Sequence, residues 1–194
     1  MSVRMRPKAL FGDANSFDRR RALSTLLCAD LVGVALSASE PASAGSTYTA
    51  PLPEDEHFMR MAIAEAARGD MPFGAVIVRA GQVVSTGRNL GRTNNDPTAH
   101  GEMEAIRRFI ASRPAAELQG TTLYTSGEPC PMCMGAILWC GIGRVVFAAS
   151  IDQLATKLGQ IMLSSQEVAK AAPFAKVSIT GGVLAADALA LFPA

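Results

Sequence analysis

The sequence has little of what several classes of protein require. It contains only two histidines, His57 and His100, so a histidine-based site has few candidates. After residue 45, lysine and arginine form no cluster beyond the pair Arg107 and Arg108, which argues against binding a phosphate backbone. That region also lacks any apolar run near the roughly twenty residues that cross a bilayer, so we expect no membrane span in the mature chain.

The N-terminal segment has the composition of an export signal. Arginines at positions 19 to 21 precede an apolar stretch over residues 22–38, and Ala42-Ser43-Ala44 fits a small-residue cleavage site. These arginines, followed by Leu23 two positions after Arg21, are typical of twin-arginine leaders, which direct the export of already folded proteins. We expect a cleaved signal peptide over 1–44, a linker over 45–53, a single folded domain over 54–194 that carries the activity, and export to the periplasm. An N-terminal extension on a cytoplasmic protein is the alternative.

Loss of this leader changes the charge balance of the chain. The whole chain has 18 basic and 17 acidic residues, a formal charge of +1. Residues 1–44 hold six of the basic and four of the acidic residues, which leaves twelve against thirteen, or −1. The mature chain is therefore not basic, and a nucleic-acid partner is not favoured.

Helical and strand patterns alternate beyond residue 53 and predict an α/β fold with a partly parallel sheet. The predicted helices cover 54–68, 98–112, 131–140, 151–158, 166–171 and 185–191, and the predicted strands cover 75–78, 83–86, 122–125, 145–148 and 177–179.

Four residues in two motifs carry the predicted chemistry. His100 and Glu102 form a His-x-Glu motif, and Cys130 and Cys133 form a Pro-Cys-x-x-Cys motif, an order typical of zinc-dependent nucleobase deaminases. A catalytic zinc ion takes three nitrogen or sulfur ligands and leaves a fourth position for water, whose pKa falls to about 7. We expect His100, Cys130 and Cys133 to be the ligands. Glu102 remains free to take a proton from the water and deliver protons to the ring nitrogen and the departing amine.

The Cys-x-x-Cys motif taken alone also fits a thiol-disulfide oxidoreductase using Cys130 and Cys133. That alternative gives no role to His100 or Glu102. Cys140 lies seven residues beyond Cys133 in an apolar stretch and is predicted to be a small buried side chain. Trp139 is a candidate for the core or for a pocket wall, and the core is the favoured prediction.

Three stretches of the chain together resemble the cytidine-deaminase-like superfamily, across nearly all of residues 54–192. They are residues 96–102 (DPTAHGE), 123–136 (LYTSGEPCPMCMGA) and 142–147 (IGRVVF). They look most like the branch that holds guanine deaminase, tRNA adenosine deaminase and yeast-type cytosine deaminase. The resemblance implies a three-layer α/β/α fold with a mixed five-stranded sheet, one zinc ion per subunit and a homodimer. For the substrate it implies that Asn89 holds the base, that Phe73 is an aromatic wall, and that backbone groups around Ala99, Ser126 and Glu128 line the pocket.

The sequence also departs from that branch. Gly101 stands where the guanine and tRNA enzymes usually have alanine, and the last predicted helix lacks the basic residues of the tRNA enzyme. Only Phe174 and Phe192 could replace the aromatic tail that closes the pocket in guanine deaminases. We expect hydrolytic deamination of a small purine base or nucleoside, with guanine-like substrates favoured. Deamination of the tRNA wobble adenosine is the alternative.

Overall fold

The computed structural model describes residues 47–193. The predicted signal peptide and the first two residues of the predicted linker lie outside the described residues. Within the described part, no helix has the length and apolarity needed to cross a membrane.

Strands and helices alternate along the chain, as the sequence predicts. The strands are β1 (Thr47–Tyr48), β2 (Gly74–Arg79), β3 (Gln82–Arg88), β4 (Thr122–Gly127), β5 (Arg144–Ala149) and β6 (Ser178–Thr180). The α-helices are α1 (Asp55–Ala66), α2 (Gly101–Ser112), α3 (Pro131–Trp139), α4 (Ile151–Ala155), α5 (Ser165–Lys170) and α6 (Ala185–Leu189), and a short 3-10 helix covers Ala115–Leu118.

Over residues 47–193 the sheet is mixed and has six strands, in the order β1-β6-β5-β4-β2-β3. Strands β4, β5, β6 and β1 run parallel, whereas β2 pairs antiparallel with both β3 and β4. The predicted number of five strands is therefore wrong by one. The additional strand is β1, a two-residue segment whose Thr47 and Tyr48 pair with Ser178 and Ile179. It is too short to give a periodic pattern in the sequence.

Two hydrophobic clusters cover the two faces of the sheet and give the predicted three layers. Alternate residues of β2 belong to different clusters, because successive side chains of a strand point to opposite faces. Ala75 and Ile77 join the cluster with α2, α3 and α5. Val76 and Val78 join the cluster with α1 and α6.

One edge of the sheet gathers the segments that carry the predicted chemistry. The start of β2 pairs with the end of β3, where Gly74 lies opposite Arg88. The ends of β4 and β5 lie at the same edge, where Gly127 pairs with Ala149. Phe73, Asn89 and Glu128 directly adjoin these strand ends and are therefore brought together.

Candidate active site

His100 and Glu102 lie at the beginning of α2. His100 is the N-cap residue, with an extended backbone, and Glu102 lies in the first turn. The first turn of α2 packs against the protein and leaves Glu102 only 5% exposed. The His-x-Glu spacing therefore places an imidazole and a carboxyl group on the same helix end.

Cys130 and Cys133 lie in the same way at the beginning of α3. Cys130 is the N-cap residue and Pro131 occupies the first turn, where a helix needs no backbone donor from it. A helix N-terminus favours negative charge, so this position suits a thiolate.

The two helix ends bring three donor atoms together. Nδ1 of His100 lies 3.7 Å from Sγ of Cys130 and 3.6 Å from Sγ of Cys133. All three donor atoms lie within 4.8 Å of one another. Nitrogen and sulfur atoms bound to one tetrahedral zinc ion at ordinary bond lengths are about 3.6 Å apart. The donor set and its spacing therefore fit one zinc ion.

The pKa values of Cys130, Cys133 and Glu102 are shifted in different directions. A hydrogen bond from the Cys133 thiol, together with those from His100 and the Cys133 backbone, lowers the pKa of Cys130 to about 4. Donation to Cys130 and burial raise the pKa of Cys133. Burial also raises the pKa of Glu102. The pKa of Cys130 is thus lowered, whereas those of Cys133 and Glu102 are raised, so the three groups differ in how readily each gives up a proton.

The loop before His100 is fixed to α2 by a single arginine. The Arg107 guanidinium donates to the carboxylates of Asp96 and Glu104, each at 3.0 Å, and to the Thr98 hydroxyl at 2.8 Å. Asp96 in turn accepts from the backbone N–H of Thr98 at 2.8 Å. This network holds the chain that leads into His100.

A cavity of about 210 Å³ opens beside the three donor atoms. It is bordered by Met71, Phe73, Asn89, His100, Glu102, Glu128, Cys130, Leu158, Gly159 and Gln160. Phe73, Asn89 and Glu128 of the predicted substrate contacts therefore border the same cavity as the catalytic motif. Cys133 lies deeper, where it is fully buried.

Ala99 and Ser126, the other two predicted contacts, do not border this cavity. The backbone N–H of Ala99 donates to Asp96 and its carbonyl accepts from Leu90. The Ser126 hydroxyl accepts from the N–H of Gly74 at 3.0 Å. Their polar groups hold neighbouring segments of the protein together.

Four residues of the cavity wall carry no recognisable motif in the sequence. Met71 lies two residues before Phe73, and its closeness in sequence to a predicted wall residue is the one signal that could have placed it in the cavity wall. Leu158, Gly159 and Gln160 follow α4, in a stretch where the sequence pattern is weak.

The two phenylalanines considered as a pocket lid lie outside the cavity. Phe192 packs edge-on against Phe73, with ring centroids 5.5 Å apart. Phe174 stacks on Trp139 at 4.6 Å, beside a different cavity of about 330 Å³ that none of the predicted site residues borders. The prediction that Trp139 lies in the core is wrong, because the last turn of α3 leaves it 78% exposed.

Among the described residues, the remaining cysteine is less buried than the sequence predicts, and the remaining histidine lies at the surface. Cys140 is partly buried against the core, and His57 is exposed on α1. The three described cysteines are free thiols.

Residues 52–149 match the family model described as the cytidine and deoxycytidylate deaminase zinc-binding region. The chain is 39% identical to guanine deaminase of Bacillus subtilis over 135 residues, which are 64% of this chain and 86% of that protein. It is also 39% identical to the tRNA-specific adenosine deaminase of the same organism over 100 residues, which are 50% of this chain and 62% of that protein.

Solved structures show the same two relationships. A mutant of the protein NE0047, crystallised with 8-azaguanine, matches with a TM-score of 0.62 at 26% identity, over 71% of this chain and 82% of that one. A tRNA deaminase studied for A-to-I editing at the wobble position matches with a TM-score of 0.59 at 29% identity, over 70% and 99%. Together with the His-Cys-Cys donor set, these matches show that the chain belongs to the cytidine and deoxycytidylate deaminase family of zinc-dependent hydrolytic deaminases.

Proposed function

We propose that this deaminase acts on a small, uncharged aminated heterocycle, a purine base or nucleoside, with guanine-like substrates favoured. The observation that carries this proposal is the cavity beside the donor set. Its wall contains no lysine or arginine, so it offers no countercharge to a phosphate. Its volume of about 210 Å³ is below the range of pockets for drug-sized ligands and suits a ring system.

The side chains of the wall offer both stacking and hydrogen bonding to such a ring. Phe73 supplies an aromatic face. Asn89 is 7% exposed, and its Oδ1 accepts from the N–H of Gly91 at 3.1 Å. The amide nitrogen of Asn89 is consequently the atom left to donate to a ring nitrogen or carbonyl. The relatives named for guanine deamination and the 8-azaguanine complex support a purine over a pyrimidine.

The chain's own residues divide the work of the reaction. A bound zinc ion supplies a Lewis acid that lowers the pKa of water to about 7. His100, Cys130 and Cys133 hold that ion. Glu102 would take one proton from the attacking water, whose oxygen bonds to the reacting carbon, and deliver that proton to the adjacent ring nitrogen. It would then take the second proton from the new hydroxyl group and pass it to the amine, so that the C–N bond breaks, the carbonyl forms and ammonia leaves. The buried position of Glu102 keeps this proton from bulk solvent.

The test is to measure zinc content and ammonia release for the purified protein. The panel contains guanine, 2,6-diaminopurine, adenine, cytosine and their nucleosides. We expect one zinc ion per chain and the highest kcat/KM for a purine. His100→Ala should lose both zinc and activity, whereas His57→Ala, at the exposed histidine, should keep both. A zinc-loaded protein that is silent across the panel contradicts the proposal.

Deamination of the tRNA wobble adenosine is the second candidate, supported by the relatives that edit tRNA. Helix α6 contains no lysine or arginine, and the cavity wall has no cation, which favours the free heterocycle. Inosine formation in a tRNA anticodon arm, measured beside the panel of bases, decides between the two.

A thiol-disulfide oxidoreductase remains the alternative outside deamination. It predicts a reversible disulfide between Cys130 and Cys133 and activity without metal. Zinc-bound thiolates should instead resist alkylation until a chelator is added.

The proposal includes a homodimer formed through α3. This helix contains no charged residue. A helix that is apolar all round is normally buried on every side. Cys133, Met134, Ile137 and Leu138 face the core, whereas Trp139 is exposed. A second copy presents the same uncharged surface, as a two-fold interface requires. We expect twice the monomer mass in sedimentation for the wild type and the monomer mass for Trp139→Glu, with Tyr48→Glu, at another exposed aromatic, as the control.

The proposal also includes export through the twin-arginine route, which rests on the sequence of residues 1–44 alone. Arg20→Lys together with Arg21→Lys should block export. N-terminal sequencing of the exported wild type should begin at Gly45. Full-length protein retained in the cytoplasm would contradict this part.

A further inference from the structure

Glu128 lies between the metal-ligand motif and the following segment of the chain. It directly follows Gly127, the last residue of β4, and comes two residues before Cys130. Its backbone N–H donates to the carbonyl of Ala149 at 2.7 Å, and its side chain is buried, with 7% exposure for the residue. The resemblance assigned its backbone to the pocket but gave the carboxylate no role.

The carboxylate of Glu128 accepts three hydrogen bonds. Oε2 accepts from the backbone N–H of Ile151 at 2.9 Å. Oε1 accepts from the backbone N–H of Ser165 at 2.8 Å and from its hydroxyl at 2.7 Å. Ile151 is the first residue of α4 and Ser165 is the first residue of α5. One side chain thus holds the N-termini of two helices.

The stretch between these anchors carries one wall of the cavity. Leu158, Gly159 and Gln160 border the cavity. The next residues have little packing of their own, since Ile161 is 64% and Met162 61% exposed. Leu154 and Leu158 pack against the cluster with α1 and α6, but the residues from Gly159 to Leu163 are outside both core clusters. Because few apolar contacts hold this second half of the stretch, its position depends on the hydrogen bonds at the two ends.

We infer that Glu128 is a positioning residue that fixes the wall formed by Leu158, Gly159 and Gln160 against the metal-ligand motif, and so sets substrate affinity. This inference rests on the proposed function, because it takes that cavity as the substrate site. Glu128 makes no contact with the reacting atoms in this role. Its loss should loosen the wall while the donor set stays assembled.

The test compares Glu128→Gln with Glu167→Gln. Glutamine keeps the size of Glu128 but replaces one acceptor oxygen by an NH₂ group, which then faces an N–H donor. Glu167 is the matched control because its carboxylate also holds the N-terminus of α5, by accepting from the Ser164 N–H at 2.8 Å, but does so at the exposed surface. Both variants weaken the start of α5, whereas only the first changes the link to the metal-ligand motif.

We expect Glu128→Gln to keep its zinc and to raise KM about tenfold or more, as the loss of a hydrogen bond to a charged group implies, with kcat within about threefold. Amide hydrogen exchange in the peptide covering 151–165 should become faster by a similar factor. Glu167→Gln should leave KM unchanged. Ser165→Ala, which removes one of the three bonds, should shift KM in the same direction by less, and it provides a second variant if Glu128→Gln does not fold.

The inference is overturned if Glu128→Gln matches Glu167→Gln in both KM and exchange. It is also overturned if Glu128→Gln loses zinc, because Glu128 would then support the metal ligands and not the wall. A wild-type protein that releases no ammonia from any base contradicts the proposed function separately. The exchange comparison still decides the role of Glu128 in that case.

Discussion

The carboxyl group of Glu102 combines two properties that proton transfer requires. It lies in the first turn of α2, directly beside the metal donors, and it is 5% exposed. Burial raises its pKa, so the group takes up a proton more readily than an exposed glutamate does. A general acid-base residue works best when its pKa approaches the working pH. Glu102 lies outside the group of three donor atoms that could hold a metal ion, and its environment suits a proton shuttle.

Replacing Glu102 tests this role. Glu102→Gln has the same shape but cannot accept and return a proton, so we expect turnover to fall by about 10²- to 10⁴-fold. The zinc content should stay at the wild-type value, because the donor set is intact. Metal analysis and ammonia release measure the two quantities. Glu56→Gln, at an exposed carboxylate of α1, is the control. Wild-type turnover in Glu102→Gln would remove Glu102 from the mechanism.

The cysteines allow an equally direct comparison. Cys133→Ala removes a donor atom from a site that needs three, so both zinc and activity should be lost. Cys140→Ala removes a partly buried thiol that packs against the core and lies outside the donor set, so zinc should be retained. The measurement is zinc per chain after dialysis against a weak chelator. Equal zinc loss in both variants would contradict the assigned ligands.

The sequence could predict the reactive residues but not the walls around them. His100, Glu102, Cys130 and Cys133 are recognisable because each lies at a fixed spacing from another. The His100 and Cys130 donors meet only because α2 and α3 begin at the same edge of the sheet. Gln160 borders the cavity through the course of a loop, which has no periodic pattern in the sequence.

At the scale of the elements, the position of the site depends on how closely α2 approaches β3. Gly87 of β3 faces the first turns of α2, and a Cβ atom added there would collide with the Gly101 carbonyl oxygen and the Ala105 amide nitrogen. Gly101 is itself tightly packed, since an added Cβ would lie 3.0 Å from the Phe73 carbonyl oxygen. The small residues at these positions let α2 present His100 and Glu102 beside the end of β3.

Alanine substitutions at two glycines should therefore have opposite effects. Gly87→Ala should lower the free energy of unfolding by about 1–3 kcal/mol or more and weaken zinc binding, because backbone atoms must move. Gly135 in α3 has no atom within 4 Å of an added Cβ. Gly135→Ala should raise the stability of the monomer by up to about 1 kcal/mol. Urea unfolding measures both changes. If both substitutions changed the free energy of unfolding equally, the close contact between Gly87 and α2 would not determine stability.

Element types were predictable, whereas their order in the sheet was not. Short runs of strand-forming residues, bounded by turns and helices, predicted β2 to β6 to within a few residues. The order β1-β6-β5-β4-β2-β3 arises from contacts between distant segments. Trp139 was misplaced because the apolar composition of α3 gives no direction, so the sequence does not show which of its faces meets the core.

At the scale of the whole molecule, one hydrogen-bond network connects the start of α1 and the residue after β1 to strands β4, β5 and β6. The Asp55 carboxylate accepts two hydrogen bonds from the Arg144 guanidinium, at 2.6 and 2.7 Å. It also accepts from the Tyr124 hydroxyl at 3.0 Å. Arg144 continues to Thr180 of β6 at 3.0 Å, and Thr180 contacts the Thr49 hydroxyl at 2.8 Å. Asp55 and Arg144 are 89 residues apart, so no local pattern in the sequence indicates that they pair.

This network predicts how the stability of the protein depends on pH. Burial alone raises the pKa of Asp55, but the hydrogen bonds from Arg144, Leu52 and Tyr124 outweigh it and leave the pKa below its ordinary value. A carboxylate with a lowered pKa in the folded state contributes stability above its ordinary pKa, about 3.9, and loses that contribution as the pH falls through the lower folded value. We therefore expect the free energy of unfolding to fall as the pH decreases below about 4.

Asp55→Asn isolates the contribution of this carboxylate. At neutral pH the variant should be less stable by about 3 kcal/mol, because Arg144 is left largely buried without its partner. Its stability should also change less than that of the wild type between pH 5 and pH 2, since the titrating group is gone. Denaturant unfolding at a series of pH values measures both effects. Glu56→Gln, at an exposed ion pair with Arg60, should follow the wild-type curve. If Asp55→Asn ran parallel to the wild type in acid, the pH dependence would have to arise from other carboxylates.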